Sequence, residues 1–144
     1  MTPHRQVTSK EIFMGKLPFG SDLTEGLTNV CTERNITLGR IKAIGAVQSA
    51  KIGFYNQKSR EYEFISFDQP MEITDLTGNV SLRDGKTFVH AHVTLADNAG
   101  KTFGGHLAPG TVVFACEFVI EAFAGPQFER TYDEETGLTL WSLE

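Results

Sequence analysis

Arg83-Asp84-Gly85-Lys86 separates "MEITDLTGNVSL" from "KTFVHAHVTL", and both flanks are rich in β-branched residues. A two-residue hairpin loop needs positive φ at its central positions, which glycine reaches freely and aspartate tolerates. The flanks are therefore expected to pair antiparallel, and this commits the middle of the chain to a sheet. Neighbouring segments agree. "REYEFISF" alternates, with Tyr62 and Phe64 on one face and Glu61, Glu63, Ile65 and Phe67 on the other. "RIKAIGAVQSAKIGFY" reads as one or two strands bent at Gly45, and "KEIFMGKL" as a first strand in which Ile12 and Met14 alternate with Phe13 and Gly15. Past a turn at "DNAG" come "KTFGGHL" and the long apolar strand "TVVFACEFVIEAF", then two short strands around "DEETG".

Only one segment carries a helical signature. In "DLTEGLTNVCTERN", Leu23, Leu27, Val30 and Cys31 recur at i, i+4, i+7 and i+8, which gathers them into one apolar stripe. Asp22 stands at the N-cap with Glu25 three residues on, a capping-box arrangement. The fold class expected is a sheet-rich α+β domain with one main helix, occupying residues 1–144 as a single domain.

Charge narrows the function. The chain has 13 Lys and Arg against 18 Asp and Glu, a formal net charge of -5. Binding duplex DNA through its phosphates needs a concentrated basic surface, and the longest local basic group, Lys58 and Arg60 in "QKSR", sits in an expected turn. Composition therefore disfavours DNA. No signal-peptide pattern opens the sequence and no window approaches the roughly 18 apolar residues of a membrane helix, so a soluble, cytoplasmic protein without membrane contact is expected. Cys31 and Cys116 both lie in apolar patterns and form no CxxC pair, which suits buried, reduced thiols.

"HAHVTLADNAGKTFGGHL" holds three of the four histidines. Side chains two apart on a strand share a face with Cα atoms about 6.6 Å apart, so His90 and His92 point the same way and can converge on one ion. His106 would come from the neighbouring strand, and Gly104 and Gly105 before it permit close backbone approach or a bulge. Three imidazoles would leave a divalent ion, Zn²⁺ foremost, with one open position. The same residues equally suit a solvated or intersubunit face. In the long strand, Val112, Phe114, Cys116, Phe118 and Ile120 form an apolar face, while Glu117 lies on the other among Val113, Ala115, Val119 and Glu121. Covered, Glu117 needs a partner and becomes a candidate catalytic base; open to water, it is a surface residue. No nucleophile elbow surrounds Ser49, Ser66 or Ser81, no phosphate-binding glycine loop opens a helix, and the cupin pattern fails where Leu95, Ala96 and Asp97 replace its glutamate.

Taken in order, "AIGAV", "GFYNQKSREYEF", "MEITDLTGNVSLRDGKTFVHAHVTLAD", "GKTFGGHLAPGTVVFACEFVIEAF" and "YDEETGLTLW" resemble the plants-and-prokaryotes-conserved (PPC) domain over essentially the whole chain. The resemblance implies a strongly twisted, mixed, mainly antiparallel β-sheet with one α-helix packed on it, assembled as a homotrimer. Plant members append AT-hooks that read DNA, whereas this sequence has none. Free-standing prokaryotic members carry a DNA-binding label, and some look able to hold a metal through residues matching His90, His92 and His106. A trimer would also cover the face bearing Glu117. Two functions are thus expected to compete. One is a trimeric, DNA-associated regulatory or assembly module with a histidine metal site. The alternative is a metal-dependent enzyme or small-ligand binder acting at an intersubunit cleft, with Glu117 as general base.

Overall fold

The computed structural model describes residues 1–143. Its strands are β1 (Thr8–Leu17), β2 (Gly39–Asn56), β3 (Glu61–Phe67), β4 (Met71–Arg83), β5 (Lys86–Ala96), β6 (Thr102–Leu107), β7 (Val112–Ala124), β8 (Glu129–Tyr132) and β9 (Thr139–Trp141), and its helix is α1 (Leu23–Glu33). They form one sheet in the order β1-β7-β2-β6-β5-β4-β8-β9, with β3 paired to β2. Every pairing between these strands is antiparallel except β4 with β8. This is the mainly antiparallel α+β arrangement expected. No helix is long and apolar enough to cross a membrane among the described residues.

The Asp84-Gly85 turn forms as its residue types require: both have positive φ, 53° and 70°, and Arg83 pairs with Lys86 across it. β2 organises the sheet. Its first half, from Gly39 to Val47, pairs with β4 on one side and β7 on the other, while Ile52 and Gly53 pair with β6. Since β4, β5 and β6 are themselves joined in series, the sheet closes back on β2. The bend expected at Gly45 occurs within a single continuous strand. Gly45 has φ 148°, and a Cβ there would lie 2.1 Å from the Ala115 carbonyl oxygen, so only glycine lets β2 and β7 close together.

Helix α1 begins where the capping signal places it, with Asp22 accepting a hydrogen bond from the Glu25 amide at 3.0 Å. Leu23, Leu27 and Cys31 are fully buried and Val30 packs at the margin of the core. Each buried leucine removes enough apolar surface to contribute about 1.5–3 kcal/mol. Both cysteines are free and buried, and burial pushes their thiols up to about 12 for Cys31 and about 11 for Cys116.

One expected face is not continuous. Phe114 is 58% exposed and Val113 is fully buried. Ala46 and Val47 of β2 face Ala115 and Val113, so Phe114 is an extra, bulged residue that switches the inward set of β7 from an odd position, Val113, before it to even positions, from Cys116 to Ala122, after it.

Candidate metal centre

Along β5, Val89, Ala91, Val93 and Leu95 are buried, which sends His90 and His92 to the opposite face of the strand. β6 returns beside β5 with His106 opposite His92 and Gly105 opposite Val93. Gly105 lies against β2, where an added Cβ would be 2.7 Å from the Gly53 carbonyl oxygen. The absence of a side chain there lets β6 lie between β5 and β2, and that placement aims His106 at the pair.

The three rings meet. Their centroids are 5.2 Å apart for His90–His92, 5.2 Å for His90–His106 and 5.8 Å for His92–His106. One nitrogen from each lies within 4.8 Å of the other two. His90 and His106 are half-buried and His92 is exposed, so the cluster opens to solvent on the His92 side. Tyr62 of β3 covers His106 with ring centroids 4.8 Å apart.

The electrostatics favour the neutral form of His90 and His106, the form that donates a lone pair to a cation. Burial first, then the positive charge of Arg130, then His106 and His92, push His90 down to about 4. Burial and His92 also lower His106. The Nδ1 of His106 is shut from water and has no hydrogen-bond partner among the described residues, and leaving such a nitrogen unsatisfied costs free energy. These residues fit a divalent ion: three imidazoles each offer a ring nitrogen within 4.8 Å of the other two, and His106 also carries a nitrogen with no partner among the described residues. Such an ion would supply Lewis acidity at its open coordination position.

Glu117 is not brought to this cluster. It is exposed on β7, opposite Lys16 of β1 and Ile44 of β2. Roughly 30 Å of β2 separates Ile44 from Gly53, which pairs with His106.

The surroundings contain residues that sequence patterns did not single out. Arg130 of β8 is 8% exposed. It donates from Nη2 to Asn79 Oδ1 at 2.8 Å, from Nε to Ser81 Oγ at 3.0 Å and from Nη1 to the Thr139 carbonyl at 3.1 Å. Asn79 is the cross-strand partner of His90. No spacing rule could have found Arg130, because it arrives through the parallel pairing of β8 with β4.

A family model for the Plants and Prokaryotes Conserved (PCC) domain matches residues 4–124. The chain belongs to this family. Among solved PPC relatives, it is similar to a metal-containing protein from Archaeoglobus fulgidus, with 40% identity, a TM-score of 0.93, and coverage of 98% of this chain and 99% of that one. A plant- and prokaryote-conserved protein from Pyrococcus horikoshii shares 34% identity at a TM-score of 0.91, covering 95% and 94% of the two chains. A protein from Bacteroides thetaiotaomicron, provisionally described as DNA-binding, shares 28% identity at a TM-score of 0.85, covering 95% and 97%. The chain is also 30% identical over 131 residues to the bifunctional protein GlmU of a Synechococcus strain, covering 90% of this chain and 20% of that protein. It thus spans about a fifth of the length of the curated relatives it matches.

Proposed function

We propose that this PPC chain is a single-domain subunit of a cytoplasmic homotrimer. In this reading it binds one divalent cation, Zn²⁺ foremost, through His90, His92 and His106, and its function is exercised on a small molecule at that centre. The convergence of three ring nitrogens within 4.8 Å carries the reading. The Archaeoglobus relative described as metal-containing supports it at 40% identity. A site with three neutral protein ligands and an accessible side suits an ion that contacts a further ligand, whereas structural zinc sites are closed by four. Glu117 has no part in the chemistry of its own chain's centre.

The trimer is supported by an apolar face at the far end of the sheet. Met14, Ile44 and Val119 of β1, β2 and β7 line one cleft of about 590 Å³, with Met14 80% and Ile44 56% exposed. Further copies of the chain would remove that surface from water, and Glu117 lies within it.

Elemental analysis of purified protein, combined with its mass in solution, tests both parts. About one metal ion per chain in a particle of three chains is expected. A metal-free protein that takes up no Zn²⁺ would refute the centre, and a monomer would refute the assembly.

A second reading, association with DNA, is favoured by the description of the Bacteroides relative. The net charge of -5 opposes it. A gel shift that survives about 200 mM salt without a partner would establish it, because purely phosphate-driven affinity falls steeply there.

A further inference from the structure

Arg130 presents an imbalance. It is 8% exposed, and no carboxylate lies within 4.0 Å of it among the described residues, where the ion pairs are Arg40–Glu121 and Lys42–Asp75. Its hydrogen-bond acceptors, Asn79, Ser81 and the Thr139 carbonyl, are all neutral. Arginine cannot shed its proton inside a protein, and a buried charge is costly unless it is paired. The rings of Phe88 and Trp141, at 5.3 and 5.5 Å from the guanidinium carbon, offer only their π faces. Among the described residues three of the five N–H groups of the fork are engaged, which leaves two for an acceptor.

The space beside this cation is not closed. Asn79, His90, Arg130, Leu140 and Trp141 line a cleft of about 420 Å³. His90 is therefore shared between the metal centre and the wall of this cleft. A divalent ion on three imidazoles would add positive charge beside an arginine that has no carboxylate partner among the described residues, so the two demand the same thing, a negative group between them.

We propose that the cleft between His90 and Arg130 binds a small organic oxyanion, a carboxylate or phosphate on an apolar body. Its charged group sits on the Arg130 fork and its body lies against Trp141 and Leu140. This deepens the proposed function by naming the ligand class, and for the role of the cation it rests on that reading. Arginine matches carboxylate and phosphate oxygens because its N–H groups form a planar fork. The apolar wall selects an organic body over a bare inorganic ion.

Two substitutions separate a ligand-binding role for Arg130 from one in which it only ties β8 to β4. Arg130→Gln removes the charge and can also disturb packing. Asn79→Asp is isosteric, preserves the acceptor 2.8 Å from Nη2, and installs a permanent internal anion. The probes are benzoate and phenyl phosphate, with benzyl alcohol as the neutral control, titrated calorimetrically into zinc-loaded protein whose metal content is measured in the same samples. Wild-type protein is expected to bind benzoate or phenyl phosphate at least about tenfold more tightly than benzyl alcohol, a difference of about 1.4 kcal/mol. The tighter of the two identifies the oxyanion. Both variants should lose that preference, Asn79→Asp while keeping its zinc. Equal binding of the neutral and anionic probes, or an Asn79→Asp protein that binds the anion as wild type does, would overturn the proposal. Loss of the metal centre would appear separately, as protein without zinc that still distinguishes the anions.

Discussion

His92 and His106 stand directly opposite one another on β5 and β6, with ring centroids 5.8 Å apart. His90, two residues along β5, sits 5.2 Å from each. One strand pairing thus sets all three rings, and any change that shifts β6 against β5 dismantles the cluster.

His92→Ala and His106→Ala should each reduce bound metal from about one ion per chain to a small fraction of that, since two imidazoles hold a divalent ion far less well than three. His4, whose ring bonds to the Thr2 carbonyl and lies outside the histidine cluster, provides a control, and His4→Ala should keep full metal content. Inductively coupled plasma analysis of dialysed protein decides the matter.

The two glycines before His106 should respond differently to alanine. A Cβ on Gly105 would meet the Gly53 carbonyl oxygen at 2.7 Å, whereas on Gly104 the nearest atom would be the Val93 carbonyl oxygen at 3.4 Å. Gly105→Ala should cost about 1–3 kcal/mol by forcing β6 away from β2, with a parallel loss of metal affinity. Gly104→Ala should leave both nearly unchanged. Urea midpoints and zinc titrations of the two proteins provide the comparison.

Asp22 holds two structures at once. Oδ1 accepts from the Glu25 amide at 3.0 Å and Oδ2 from the Gly110 amide at 2.6 Å. Asp22→Ala should therefore cost about 2 kcal/mol, the upper end for an N-cap, because the loop before β7 is released with the helix start. Asp22→Asn, which keeps one acceptor, should recover part of that loss in chemical denaturation.

Metal-free protein should lose stability as pH falls from about 6.5 to about 4. Burial, Arg130, His106 and His92 hold His90 at about 4 in the folded state against 6.5 ordinarily. Between these values the unfolded chain binds a proton that the folded chain refuses, so falling pH favours unfolding. His90→Gln should show a shallower decline over this window. An identical pH dependence in the two chelator-treated proteins would contradict the assignment.

The buried thiols give an independent check on the core. Burial pushes Cys31 to about 12, and burial with the charge of Glu117 pushes Cys116 to about 11. Little thiolate forms at pH 8, so native protein should leave a thiol reagent almost unreacted for hours, while denatured protein should release two equivalents per chain at once. Rapid native labelling would show that the α1–sheet packing opens.

Sequence by itself determined the features that depend on a few adjacent residues. The apolar stripe and Asp22 defined α1, Asp84-Gly85 fixed the β4–β5 hairpin, and strand alternation put His90 and His92 on one face. These follow from backbone geometry that repeats over two to four residues, so local residue type suffices. The tertiary structure decided what is close in space but distant along the chain. It brought His106 opposite His92 through the β5–β6 register, and it delivered Arg130 to the same wall through a parallel β4–β8 pairing. It also turned Phe114 outward at a bulge and left Glu117 on the opposite reach of β2. Registers and bulges of this kind are settled by the packing of whole strands against one another, which no short window of sequence contains.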